Sequence, residues 1–173
     1  MVKNIDLEKY PLTFTEKLPG ETGSEINFSK ERLSTIFAGG EIIPARAVDR
    51  LGLNVHNDYA YLYDFVRQEI ENADLAIAQL ENPLMGDPTP CTGCTVFVGD
   101  EKNAQGFAEV GFDILAFSGN HAGDGGQKAY EPTIKALTDA GIKYTGVGKG
   151  VDEQMKPALF DINGRVIGMV SAD

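Results

Sequence analysis

Tryptophan is absent, and the 173 residues hold only two cysteines and two histidines. So few thiols exclude a disulfide-stapled mini-domain and a four-cysteine zinc module. Positive charge is short as well: 15 Lys and Arg stand against 26 Asp and Glu, a net charge of -11. Such a chain exerts no bulk attraction on nucleic acid or on an anionic membrane, both of which need a basic patch. No apolar run approaches the ~20 residues that cross a bilayer. The opening 1-MVKNIDLEKYPLTF-14 has no apolar signal-peptide core. The expectation is a chain with no membrane segment, no export signal and no nucleic-acid partner.

What is present is ordinary for a globular domain: 42% hydrophobic and 24% charged residues. The length fits one domain with a real core. Both cysteines lie in 90-PCTGC-94. A structural zinc site wants four ligands, and no second pair exists. Thr and Pro around the motif argue against a thioredoxin-like helix start. The reading is a loop with two thiols at Cys91 and Cys94, or a short-range disulfide in an oxidising compartment.

Residues 1–32 are polar, with the breaker cluster 19-PGETGSE-25, and read as a linker or an upstream tail. An apolar, β-rich run follows at 33-LSTIFAGGEII-43 and stops at Pro44. Apolar residues at 59, 62, 66 and 70 predict a helix over 58–73, capped by Asn57 or Asp58. Then come a strand at 74–81, a loop at 82–94, and a helix at 100–111 between Asp100 and Gly111. A buried strand at 112–118, a helix at 127–141, a strand at 142–148 and a short helix at 151–155 complete the alternation. Residues 158–170 read as two strands joined by Asn163-Gly164, the strongest short hairpin signal. Strand-helix alternation predicts an α/β fold with a largely parallel sheet.

In open α/β sheets ligands collect outside the carboxyl ends of the strands. Three predicted strand ends carry polar residues out of keeping with their apolar bodies: Glu41, then Gln79 and Glu81, then Asn120, His121 and Asp124. If the strands are neighbours, these groups meet at one rim. Carboxylate, imidazole and amide oxygen suit a divalent cation such as Mn, Zn, Fe or Mg. Asn120 is a candidate ligand, His121 then facing substrate. Asp124 would fix that imidazole in one tautomer or hold it protonated as a general acid. Arg46 is one of few positive charges near the rim and a candidate for meeting an anionic group. Each has a plainer reading: Asn-His as a turn, Glu81 as a loop acid, Arg46 as a surface residue. His56, in the polar loop 54-NVHND-58, reads as solvated.

The series 39-GGEIIPAR-46, 74-DLAIAQLENPL-84, 111-GFDILAFSGNHAGDGG-126, 137-LTDAGIKYTGVGKG-150 and 157-PALFDINGRVIGMV-170 resembles the bacterial capsule-synthesis CapA family. The resemblance covers roughly residues 33–173 in order and spacing. It implies the calcineurin-like metallophosphatase fold, an α/β/β/α sandwich, and a part in capsular poly-γ-glutamate synthesis or export. Possible partners are then the capsule polymer or its synthesis machinery, at the cell envelope or outside the cell. Where the family usually has Gly-Asp, this chain has Gly40-Glu41. Where it has Asn-Leu-Glu, this chain has Gln79-Leu80-Glu81. Gly119-Asn120-His121 with Asp124 keeps the last part of the third motif. The resemblance thus assigns Glu41, Glu81 and Asn120 to a metal, and His121 and Asp124 to catalysis. The family's later histidine motifs do not occur, so the expectation is an N-terminal portion of such a domain. Three functions stand: a capsule-assembly component, a metal-dependent phosphoesterase or related hydrolase, and an inactive fragment.

Overall fold

The computed structural model describes residues 34–85 and 95–172. Both cysteines and the polar stretch 1–32 lie outside the described residues. Thr35–Asp173 form one compact unit. Four strands, β1 (Ile36–Ile42), β2 (Leu75–Leu80), β3 (Ile114–Ala116) and β4 (Lys143–Thr145), make a parallel sheet in sequence order. The helices are α1 (Arg46–Arg50), α2 (Arg67–Asn72), α3 (Asn103–Val110), α4 (Tyr130–Asp139) and the short α5 (Val151–Gln154). An antiparallel hairpin, β5 (Ala158–Ile162) and β6 (Arg165–Met169), follows. The expected α/β class with a parallel sheet is therefore what forms.

The two faces of the sheet are covered differently. Ala76, Ala78, Leu80, Leu115 and Phe117 pack with Ile70, Ala104, Phe107, Val110 and Leu137 from the helices. The opposite side chains of the same strands, Leu75 and Ile114, pack with Ala158 and Ile162 of the hairpin. The period of two along a strand makes this division. The layers are thus helices, parallel sheet and hairpin, consistent with a partial metallophosphatase-like sandwich.

Local chemistry sets the boundaries. Asp74 Oδ2 accepts from Thr35 N at 2.8 Å and from Thr35 Oγ1 at 3.0 Å, tying the amino ends of β1 and β2. Asp113 does the same one strand over: its Oδ2 accepts from Ala76 N at 2.8 Å. The helix α3 ends at Gly111, whose φ of 95° few other residues adopt. Within α3, Gly106 lets the helix close on the preceding layer, because a Cβ there would lie 2.6 Å from Tyr59 Cβ. Asn163 and Gly164 turn the hairpin with φ of 53° and 80°.

Some expectations need correction. The helix predicted over 58–73 is broken into a 3-10 turn, Ala60–Tyr63, and α2. Asp58 does cap the first piece, its Oδ1 accepting from Ala60 N at 2.9 Å. Val66, with φ -123° and ψ 3°, leaves helical geometry and makes the break. The predicted strands shorten: β3 and β4 hold three residues each. No helix was expected at 44–57, where α1 and a π-helical turn, Leu51–His56, form. What holds α1 is distant in sequence: buried Asp49 accepts from Asp100 N at 2.9 Å and Asn103 Nδ2 at 2.7 Å. His56 is exposed, as its polar surroundings suggest, and stacks on Tyr61 with ring centroids 3.5 Å apart.

Candidate functional site

Strands β1, β2 and β3 are adjacent, so their carboxyl ends form one rim. A bulge decides which way β1 presents its acid. Ala38 opposes Ile77, but Glu41, not Gly40, opposes Gln79. One extra residue at Gly39-Gly40 flips the face of everything after it. Glu41 therefore shares a face with Gln79, where an unbulged strand would turn it toward the helices. Its side chain is exposed.

Glu81 is the buried acid of the rim, 2% exposed. Its Oε2 accepts from Gln79 Nε2 at 2.9 Å. The turn after β3 lies directly on this pair. A Cβ on Gly119 would sit 2.2 Å from Glu81 Oε2 and 2.8 Å from Gln79 Nε2. That is the physical need for glycine here. Asn120, next along, is exposed. Ser118 meets Ser171 hydroxyl to hydroxyl, which brings the end of β6 to the same rim.

His121 and Asp124 form a bonded pair: Nδ1 lies 2.8 Å from Asp124 Oδ2. An ionised carboxylate only accepts, so this contact puts the proton of a neutral imidazole on Nδ1. Asp124 Oδ2 also accepts from Phe97 N at 2.6 Å. The Phe97 ring meets the His121 ring with centroids 4.5 Å apart and planes at 72°. The Arg46 guanidinium lies over the same phenyl ring, 4.1 Å from its centroid. Arg46 itself has a φ of 58°, a strained value for a residue with a side chain.

The six site residues thus divide. Glu41 and Glu81 come to neighbouring strand ends, with Asn120 on the turn that covers Glu81. His121, Asp124 and Arg46 are joined through Phe97. Among the described residues no three His, Cys, Asp or Glu side chains gather closely enough to hold a metal ion. A cation at this rim would have to draw on amide oxygen as well. Two observations fit one. Glu81 is a buried carboxylate, and the ion pairs between described residues do not include it. A buried charge is costly without a compensating partner. The next residue, Asn82, is fully buried and its Oδ1 has no hydrogen-bond partner among the described residues.

Sequence reasoning missed Phe97 and Asn82. Phe97 carries no local signal, since its ring contacts are tertiary. Asn82 was visible beside Glu81 but read as loop. Elsewhere, burial pushes the Tyr63 hydroxyl well above its ordinary range. It does the same to Tyr59, helped by Asp49 and Asp100. Neither belongs to the rim.

The profile described as "Bacterial capsule synthesis protein PGA_cap" matches residues 35–173. A relative named "Capsule biosynthesis protein CapA" from Bacillus anthracis is 26% identical over 129 residues, 72% of this chain and 31% of the relative. The chain thus spans about a third of that relative's length. The match runs from the first residue of the compact unit through the rim and the hairpin, and the chain belongs to the bacterial capsule synthesis protein family.

Proposed function

We propose that the chain serves the synthesis or export of a capsular polymer of the poly-γ-glutamate kind, through a metallophosphatase-like cation site at the strand ends. Family membership supports the capsule role. The observation that carries the site is Glu81, a buried carboxylate beneath the Gly119 turn with an amide as its hydrogen-bond donor. Glu41, Glu81 and Asn120 would hold a divalent cation. Three oxygen donors suit Mg or Mn better than the softer Zn or Fe. Such an ion, when bound, lowers the pKa of a coordinated water and polarises a phosphoryl or carbonyl oxygen. A cation also answers the charge problem, because a chain of net charge -11 repels a polyanion.

In this reading the chain's own groups work as follows. His121 presents Nε2 to the leaving oxygen and delivers a proton there. Asp124 holds Nδ1–H and stabilises the imidazolium. Arg46 stands near the same pair and offers charge to an anionic group at the rim. Gly119, having no Cβ, lets the turn lie against Glu81 and Gln79.

Elemental analysis of the purified chain, beside the double variant Asn120→Ala, His121→Ala, tests the site. Near-stoichiometric metal in the parent and its loss in the variant is the expected result. A turnover screen with a generic phosphoester then separates a hydrolase from an assembly component. A folded parent that binds no metal would overturn the cation site.

A further inference from the structure

We infer that Phe97 is a positioning residue, holding His121 and Asp124 in one geometry and held in turn by Arg46. The inference rests on the role given above to His121, and it does not need the cation. Phe97 touches both members of the pair. Its backbone N–H donates to Asp124 Oδ2 at 2.6 Å, and its ring meets the imidazole at 4.5 Å. The shared oxygen then takes two donors, Phe97 N–H and His121 Nδ1–H. A carboxylate held by a second, backbone donor has little freedom to swing away from the imidazole.

Phe97 is itself anchored. Gly99, two residues on, donates its N–H to Pro83 O at 2.9 Å and accepts from Met85 N at 2.9 Å. A Cβ on Gly99 would lie 2.1 Å from Pro44 O, so this backbone is pressed against the chain leaving β1. That close approach brings Arg46 over the phenyl ring, 4.1 Å from its centroid. A cation over an aromatic face attracts it by roughly 0.5–1 kcal/mol at exposed sites. The strained φ of 58° at Arg46 is the backbone turn that starts α1 from this spot. Three segments far apart in sequence, those of Arg46, Phe97 and His121, therefore meet around one ring.

The test reads the His121 ring directly. Nitrogen-15 correlation spectra of the full chain, recorded with chelator at a pH where the imidazole is neutral, report which nitrogen carries the proton. The chain has only two histidines, so a His56→Gln variant assigns both rings and exposed His56 is the internal control. The parent should show His121 protonated at Nδ1. Phe97→Leu should lose that preference toward a mixture of tautomers, with His56 unmoved, and Phe97→Tyr should restore it. An unchanged His121 pattern in folded Phe97→Leu would overturn the inference. Should Phe97→Leu not fold by circular dichroism, Arg46→Met decides: a redistributed tautomer supports the inference, and a parental one overturns it. Because metal is excluded throughout, failure here is separate from failure of the cation site.

Discussion

At Gly119 the side chain is a single hydrogen atom, and the space beyond it is already filled. The nearest atoms to an added Cβ are Glu81 Oε2 at 2.2 Å and Gln79 Nε2 at 2.8 Å. Both belong to side chains, which ordinarily could move aside. Glu81 is 2% exposed, however, and has nowhere to go without losing its bond from Gln79. Gly119→Ala should therefore cost about 1–3 kcal/mol, the usual range for overpacking a filled space. Gly40→Ala is the control: nothing lies within 4 Å of a Cβ there. It should stay within about 0.5 kcal/mol of the parent. Urea unfolding of the two variants measures the difference, and equal costs would remove Gly119 from the account. At this scale the sequence was readable where chemistry is local. Asn163-Gly164 announces its turn, and His121 lies three residues from Asp124. Phe97 is not local: 24 positions separate it from His121 in the chain, and a phenylalanine between Val96 and Val98 looks the same whatever its ring touches.

Elements were legible in kind and order, less so in extent. Of the apolar positions 59, 62, 66 and 70, Tyr59 and Ile70 are buried, while Val66, where the helix breaks, is 42% exposed. The bulge in β1 left a trace, the pair Gly39-Gly40, but the sequence could not say how far it shifts the register. Asp113 illustrates a cost hidden at an element's start. It joins β3 to β2 through Ala76 N, and burial raises its pKa above 3.8. The Ala76 hydrogen bond and Lys143 pull the other way and are outweighed. The folded state thus holds this proton more tightly than the unfolded chain. Asp113 then favours folding most below pH 3.8, and that contribution falls as pH rises through the window above 3.8. Asp113→Asn keeps an acceptor for Ala76 N–H and removes the titration. The variant should gain stability relative to the parent between pH 3.5 and pH 7, as flagged by urea midpoints at roughly half-unit steps. Parallel curves for the two proteins would show that Asp113 titrates alike in both states.

Across the whole molecule, the parallel sheet and the hairpin followed from strand-helix alternation and one turn dipeptide, and the strand order is supplied by the structure. Which face the hairpin takes did not, because β2 reads as a nearly continuous apolar run. The hairpin settles on the face of Leu75 and Ile114, and Ile36, at the β1 end of that face, is 51% exposed. Its attachment has two parts. Ala158 and Ile162 supply apolar burial, and Lys143 Nζ donates to Leu159 O. The far end then sets Ser171 against Ser118, one residue before Gly119. Core packing on this face should therefore reach the rim. Ile162, 4% exposed, and Leu159, 51% exposed, lie on opposite faces of one strand. Ile162→Ala should cost about 2–4 kcal/mol, as buried truncations do, and Leu159→Ala within about 0.5 kcal/mol. Beyond stability, hydrogen exchange at Gly119 and Asn120 should quicken in Ile162→Ala and stay parental in Leu159→Ala. Exchange that quickens only within β5 and β6 would mean that the hairpin opens by itself and the rim stands without it. Quickening at both places would mean that the second layer, through Ser171, is part of what keeps the Gly119 turn closed over Glu81.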